Sequence, residues 1–312
     1  MIRQSDYENY DYRQFWQNVN RDYEDSSERL AIRKFLRNEN LSDKVFADFG
    51  CGYARLFDEY RQSKIIILLD YSLNNIKNAK ESIFKYLQND KKKLSNIFFV
   101  VADINNLPIK KGIIDACISV RVIHHLEKPH IFFAELYRVL RPGGLFILEF
   151  ANKRNLKNII KFVFGKLKLS PFSKKPLQIG ETILDNHPKY IQNLLKEAGF
   201  SIKKKISASN FRLGFIKKHI KLKLLLFFEK IYQEMFSLID IGPSIFLKTF
   251  KESEKESANN IKNYKNIEIK DIFSCPSCKS ENLSFSDDKL FLLCLSCSKK
   301  YSAFDNILNF KD

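Results

Sequence analysis

Residues 45 to 55 read Val-Phe-Ala-Asp-Phe-Gly-Cys-Gly-Tyr-Ala-Arg, an apolar run that carries Asp48 near its end and breaks into a turn built on Gly50 and Gly52. Glycine at these two places admits backbone angles, and a close approach of ligand to main chain, that a Cβ blocks. Ala54 is about the largest residue a third close contact tolerates. The next apolar run, from Lys64, ends in Asp70 followed by Tyr71. A carboxylate there lies at the C-terminal edge of a second parallel strand, placed to accept both hydroxyls of a ribose. The pattern is a nucleoside-binding strand-turn-helix edge. The rival dinucleotide fingerprint, G-x-G-x-x-G, needs its third glycine where Arg55 stands, and a pyrophosphate has no use for an acid at 48.

The chain has 312 residues, enough for one large core and a small appendage. Its first residues, Met-Ile-Arg-Gln-Ser-Asp, are polar, and no apolar run approaches the ~20 residues of a membrane span, so we expect a cytoplasmic protein without a transmembrane segment. Six cysteines divide into Cys51 and Cys117, each alone in a core-like run, and four in two C-x2-C pairs near the C-terminus. Without an export signal, that arrangement favours a metal over disulfides. The formal charge is +17, and most of the imbalance lies between Ala151 and Lys230, where 19 Lys and Arg face 4 acids. Such a stretch attracts RNA, DNA or an anionic membrane surface. The plainer account is a chain rich in Lys, Asn, Ile and Phe whose lysines are simply solvated.

Apolar runs alternate with helical stretches. Strands are expected at 45–49, 65–69, 97–101, 114–120, 145–150, 200–206 and 244–250, and helices at 53–61, 73–88, 128–140 and 188–198, the last closed by Gly199. Alternation of this kind gives an α/β fold, a seven-stranded doubly wound Rossmann-like sheet with helices on both faces. Residues 1–40 read as an N-terminal helical lid, with Arg21 and Tyr23 as candidates to close over the bound ligand. Residues 41–252 read as the main domain, with an amphipathic insertion at about 208–242. There Ile220, Leu224, Phe227, Ile231, Met235 and Leu238 recur at helical spacing, and we expect them to cover the sheet or the pocket rather than a membrane. Residues 253–267 are charged, without apolar periodicity, and read as a linker to a small module at 268–312.

Four ordered segments together resemble the class I S-adenosylmethionine-dependent methyltransferases, of the broad small-molecule type. They are the 45–55 turn, Val101-Ala-Asp-Ile-Asn-Asn-Leu-Pro108, Asp115-Ala-Cys-Ile-Ser-Val-Arg-Val-Ile-His-His-Leu126 and Leu140-Arg-Pro-Gly-Gly-Leu145. The resemblance spans about residues 20 to 250. It implies S-adenosylmethionine as methyl donor, with Asp48 near its ammonium, Asp70 on its ribose, Asp103 and the amide of Ile104 on its adenine, and Gly50, Gly52, Ala54, Tyr71 and Arg121 completing the pocket. In-line displacement at a sulfonium carbon mainly requires alignment of the acceptor, with a base only if the acceptor loses a proton. His124, His125 and Glu149 are the candidates near the acceptor, since they fall at the ends of the fourth and fifth strands. No acceptor signature follows the fourth strand, so the substrate class stays open, with an unidentified small molecule favoured. Ile-His-His-Leu also resembles wobble-uridine tRNA methyltransferases, which keeps tRNA or another RNA open, and a non-catalytic adaptor is the third reading.

Cys275-Pro-Ser-Cys278 and Cys294-Leu-Ser-Cys297 are 15 residues apart. Two such knuckles suit tetrahedral zinc, with the segment between them forming the hairpin of a ribbon. Four cysteines leave no open ligand position, so the zinc is read as structural. The ending Tyr301-Ser-Ala-Phe-Asp-Asn-Ile307 resembles that of the small zinc-ribbon activator subunit of tRNA and protein methyltransferases. That implies a protein partner or RNA for the ribbon, or packing on the catalytic domain.

Overall fold

The computed structural model describes residue 8 and residues 11–17, 21–88, 90–180, 183–252 and 269–311. The expected linker at 253–267 lies outside the described residues, as do residues 1–7, 9–10 and 18–20 of the expected N-terminal lid.

Five strands form the parallel centre: β1 (Val45–Phe49), β2 (Ile65–Asp70), β3 (Ile97–Val101), β4 (Ile114–Ser119) and β5 (Leu140–Ala151). β1, β2 and β4 are buried at every position, as strands covered on both faces must be, which is why, apart from Asp48, Asp70, Asp115 and Ser119, they read as apolar runs rather than as alternation. β6 (Leu177–Ile179) and β7 (Ile183–Asp185) form a separate hairpin-like pair. β8 (Phe200–Ala208) and β9 (Ser244–Lys251) extend the main sheet antiparallel beyond β5. Four further strands come from the C-terminal module: β10 (Leu283–Phe285), β11 (Phe291–Cys294), β12 (Lys300–Phe304) and β13 (Ile307–Asn309).

The helices are α1 (Arg13–Gln17), α2 (Asp22–Leu36), α3 (Leu73–Leu87), α4 (Lys91–Leu94), α5 (Pro129–Val139), α6 (Leu156–Val163), α7 (Pro188–Glu197), α8 (Gly214–His219), α9 (Leu222–Ile239) and α10 (Ile269–Ile272). The Ser72 hydroxyl caps α3 by accepting from the Asn75 amide at 3.2 Å, while Pro129 and Pro188 occupy first turns where no amide donor is needed. Gly199 ends α7 at φ +91°, where a Cβ would come within 2.5 Å of Tyr137.

The main sheet departs from the seven-stranded expectation. It has eleven strands, in the order β10-β11-β12-β13-β3-β2-β1-β4-β5-β9-β8. The seven expected strands are all present, and the other four are those of the ribbon. β13 pairs parallel with β3, Ile307 opposite Phe99 and Asn309 opposite Val101. Without it β3 would end the sheet as a bare row of amide donors and carbonyl acceptors. The contact is more than a ladder: Phe273, Tyr301 and Phe310 are buried in the same core as β1 and β4, and Lys110 pairs with Glu281 at 3.0 Å. The ribbon therefore packs on the main domain as part of its core.

Two helix expectations are corrected. At 53–61 there is no α-helix, only turns and one 3-10 turn at Phe57–Glu59. Ala54 lies at φ +59°, which a right-handed helix cannot include. The 211–239 segment breaks at extended Ile220 into α8 and α9, and its apolar stripe points outward: Leu224, Phe227, Ile231, Met235 and Leu238 are exposed. The buried positions are Leu225, Glu229, Gln233 and Ser237. Glu229 explains the rotation. Fully buried, it accepts from the Tyr23 hydroxyl at 2.6 Å, the Ser27 hydroxyl at 2.5 Å, and the amides of Ser209 at 2.9 Å and Asn210 at 3.1 Å. A carboxylate with four donors waiting on α2 and after β8 fixes which side of α9 faces in, since burying it without partners would cost several kcal/mol.

Glu229→Ala takes the acceptor from the Tyr23 and Ser27 hydroxyls and the Asn210 amide, while the Ser209 amide keeps the Ser27 oxygen at 2.7 Å, and should lower the unfolding free energy by about 2–4 kcal/mol, measured by urea denaturation. Glu229→Gln should lose less. An Ala variant as stable as the parent would show that the cluster does not set the helix.

Candidate active site and metal centre

The C-terminal ends of β1, β2 and β4 open into a cleft of about 1000 Å³, counting the space continuous with solvent at its mouth. The turn after β1 forms its floor. The amides of Gly50 and Cys51 both donate to the Leu69 carbonyl, at 2.7 and 3.1 Å, which folds the turn against β2. At Gly50, φ +79°, a Cβ would lie 2.2 Å from Val122, so glycine is what lets the loop after β4 close down on the turn. Gly52, φ +55°, lies beneath the Tyr12 ring.

Of the residues assigned to a cofactor, Asp48, Gly50, Gly52, Asp70, Tyr71, Asp103, Ile104 and Arg121 line this cleft. Ala54 does not: it is buried among apolar residues behind the turn. Asp70 is oriented by three donors, the Gly52 amide at 2.9 Å on one oxygen and the Ser72 amide at 2.9 Å and Asn75 side chain at 3.1 Å on the other. The first oxygen keeps acceptor capacity for a ligand hydroxyl. Burial raises the Asp70 pKa, and the two amides counter it. Asp48 is more strongly affected. Burial pushes it up to about 7, against the opposing pull of the Tyr60 hydroxyl at 2.6 Å and of Arg55. Asp103 accepts from the Asn105 amide at 2.9 Å, which holds its carboxylate at the end of β3. Three carboxylates on adjacent strand ends favour a ligand bearing a cation, hydroxyls and an amino group.

Arg121 stands at φ +62°, a left-handed conformation a non-glycine residue adopts only when held. Glu149 holds it: its carboxylate accepts the Arg121 amide at 2.7 Å and the Ser244 hydroxyl. Glu149 is buried, with its pKa raised by that burial and partly restored by Arg121, and it is not among the residues lining the cleft. Its place is that of a positioning residue. Of the two histidines, His125 lines the cleft while His124 does not, and their rings are 4.1 Å apart. Burial, with His125 and Arg121 beside it, holds His124 well below the usual histidine range, and its Nδ1 has no hydrogen-bond partner among the described residues. Tyr23 and Arg21 do not line the cleft: Tyr23 serves Glu229, and the Arg21 guanidinium lies 3.8 Å over Phe15.

Sequence reasoning missed the pairing behind the cleft. Glu28, fully buried on α2, accepts from Arg55 at 2.6 Å and from Arg121 at 2.8 and 2.5 Å. Asp25 also pairs with Arg55. Burial lowers the tendency of both arginines to stay charged, but Glu28, joined by Asp25 at Arg55 and by Glu149 at Arg121, outweighs it and raises both. Trp16 covers the pair, its ring 3.8 Å from the Arg55 guanidinium and 4.8 Å from that of Arg121. Tyr12, from the same aromatic segment, reaches the cleft itself. The one signal in the sequence was the clustering of Tyr12, Phe15 and Trp16 ahead of an acidic helix start.

The four paired cysteines converge, with all Sγ atoms of Cys275, Cys278, Cys294 and Cys297 within 4.8 Å of one another. Cys275 to Cys297 is 3.7 Å and Cys278 to Cys294 is 3.5 Å, near the ~3.8 Å edge of a tetrahedron with zinc–sulfur bonds of about 2.3 Å. The two knuckles are copies. The amides of Lys279 and Ser298 each return to the carbonyl of the first cysteine at 2.8 Å, and both residues are left-handed. The donor set and spacing fit zinc. From this module Ser277, Lys299 and Lys311 share a second cleft with Tyr71 and Asp103, which also line the main cleft, so the ribbon borders it there.

Residues 47–148 match the family model described as "Methyltransferase domain". An uncharacterised chloroplastic methyltransferase of Arabidopsis thaliana is 32% identical over 39% of this chain and 34% of its own length. A tRNA (carboxymethyluridine(34)-5-O)-methyltransferase of Mus musculus is 32% identical over 40% of this chain and 18% of its own. A malonyl-[acyl-carrier protein] O-methyltransferase of a Marinomonas strain is 30% identical over 44% and 50%. The chain thus spans half or less of the length of these relatives. Among solved structures, one from the Haloferax volcanii complex between the Trm112 methyltransferase activator and a protein designated a methyltransferase has a TM-score of 0.51 at 15% identity, covering 77% of this chain and 96% of that one. Magnesium protoporphyrin IX methyltransferase from Synechocystis gives 0.50 at 16%, covering 76% and 87%. At these identities the structures share the fold.

The Asp48 carboxyl should titrate near pH 7 in the ligand-free protein, followed by NMR of protein labelled at the Asp carboxyl carbons. Tyr60→Phe keeps the ring stacked on Phe46 but removes a hydrogen bond that favours the anion, so the midpoint should move up. A parent midpoint at the ordinary value of about 4 would contradict the buried site.

Proposed function

We propose that this chain, which carries a class I S-adenosylmethionine-dependent methyltransferase domain, transfers a methyl group from S-adenosylmethionine to a small-molecule acceptor. The observation that carries the reading is the coincidence of the matched segment, 47–148, with a cleft whose floor presents Asp48, Asp70 and Asp103 on adjacent strand ends. The residues fit the cofactor: Asp70 would take the ribose, Asp103 and the Ile104 amide the adenine, and Asp48 the ammonium. When bound, the cofactor would supply an electrophilic methyl on a sulfonium sulfur, to which the acceptor's lone pair would bond in line as the carbon–sulfur pair leaves with sulfur.

The protein's part is alignment and exclusion of water. Tyr12 and Arg121 wall the cleft on the side of α1, and the Gly50–Val122 contact closes the space between the two loops. If the acceptor must lose a proton, His125 is the base, being the histidine that lines the cleft. His124 is held neutral behind it, and Glu149 is committed to the backbone. A tRNA acceptor is the second reading, supported by the basic stretch from 151 to 230 and by the tRNA-modifying relative. An adaptor without catalysis has less support, because the cleft keeps the full carboxylate set. We also propose that the four thiolates hold zinc, and that the ribbon serves as a built-in edge strand for β3 rather than as a free docking module.

Titration calorimetry should show S-adenosylmethionine binding, weakened about 100-fold by Asp70→Ala through loss of charge-assisted hydrogen bonds. Label transferred from methyl-labelled donor to a fractionated extract should enter small molecules. Label in RNA would select the second reading, and a silent titration the adaptor. Metal analysis should find about one zinc per chain. Because the ribbon shares the main core, a strong chelator should lower the melting midpoint of the whole protein. An unchanged midpoint with zinc removed would separate ribbon from domain.

A further inference from the structure

We propose that the outer face of α9, together with the outer face of α6, docks on the surface of an anionic phospholipid bilayer. On α9 the side chains of Leu224, Phe227, Ile231, Met235 and Leu238 form one stripe along the whole helix, and Leu238 is 80% exposed. On α6 and the Phe164 that caps its C-terminus, Ile160, Val163 and Phe164 form another, with Val163 at 72% and Phe164 at 73%. The two helices meet in the fold, because α6 starts where α9 ends: the Leu156 amide donates to the Ile241 carbonyl at 2.9 Å. Phe215 on α8 adds a third exposed ring at 76%. Apolar surface on this scale marks an interaction site. The face cannot turn inward, since Glu229 and Gln233 on the opposite side of α9 are tied to α2.

Charge identifies the occupant. The sequence has no Asp or Glu from Asn152 to Gly180 and none from Asn210 to Phe228. Of the two carboxylates on α9, Glu229 is buried, and Glu234 is drawn aside to Lys204 at 3.0 Å and Lys34 at 3.7 Å. Apart from Glu234, the exposed ions flanking the stripes are cations, among them Lys157, Lys161, Lys166, Lys218, Lys221 and Lys223. A second copy of this chain would bring like charges together. RNA phosphates would use the lysines, and bases would stack on Phe164, Phe215 and Phe227, but the aliphatic majority of the face, Ile160, Val163, Leu224, Ile231, Met235 and Leu238, would gain nothing. An anionic bilayer uses both parts at once: aliphatic side chains enter the headgroup boundary and the lysines stay among the phosphates. The helix lies on the surface and does not span, since no described helix is long and apolar enough to cross a membrane.

The test is flotation of the full-length protein with vesicles of phosphatidylcholine containing phosphatidylglycerol, and with phosphatidylcholine alone. The protein should float with the anionic vesicles, bind the neutral ones at least about tenfold more weakly, and lose binding as salt rises. The double variant Ile231→Glu with Leu238→Glu changes only exposed positions, so its melting midpoint should match the parent's while its vesicle affinity falls at least about tenfold. Failure to float with anionic vesicles would overturn the proposal. So would unchanged binding of the double variant, or a solution dimer that the double variant dissociates, which would assign the face to a second copy. RNA binding without vesicle binding would overturn it in favour of a nucleic acid.

Discussion

A single buried carboxylate, Glu28 on α2, ties together the two loops that make the cleft. It accepts from Arg55, on the turn after β1, and from Arg121, on the turn after β4. Each arginine alone would resist burial, and a buried ion left without its partner is strongly destabilising. The group works because it is nearly complete: Asp25 takes the other side of Arg55, Glu149 fixes the backbone of Arg121, and Trp16 covers both guanidiniums. The pairing lets a left-handed Arg121 and a left-handed turn at Gly50 to Ala54 face each other without collapsing. The cleft is the space they leave.

The same principle recurs away from the cleft. Glu229 gathers donors from α2 and from the chain after β8, and in doing so decides which side of α9 is buried. Periodicity identified the apolar stripe of that helix correctly and suggested burial for it, because apolar stripes of surface helices usually face the core. In the fold a carboxylate with a full set of donors outweighs several aliphatic side chains. The stripe is left outside, flanked by lysines, and the inference about a bilayer follows from that inversion.

At the other edge of the sheet, a module that read as a separate appendage is continuous with the core. The two cysteine knuckles were legible because C-x2-C spacing is local and repeats. The attachment was not, because Ile307, Leu308 and Asn309 meet Phe99, Val100 and Val101 across some two hundred residues of chain. The contact gives the sheet eleven strands and brings Lys311 to 3.7 Å over Tyr71, which lines the cleft.

What the sequence determined by itself is what short spacing can encode. The turn at Gly50 and Gly52, the carboxylates at strand ends, the positions of the parallel strands along the chain and the four-cysteine set all depend on residues a few positions apart, whose backbone and side-chain preferences act locally. What only the tertiary structure decided involves charge and burial between distant segments. Glu28 selects Arg55 and Arg121, Glu149 is taken up by a backbone amide and does not line the cleft, His125 rather than His124 reaches the cleft, and Glu229 turns the apolar stripe of α9 outward. Each outcome depends on which partner a buried polar group finds, and that partner is fixed by the packing of the whole chain.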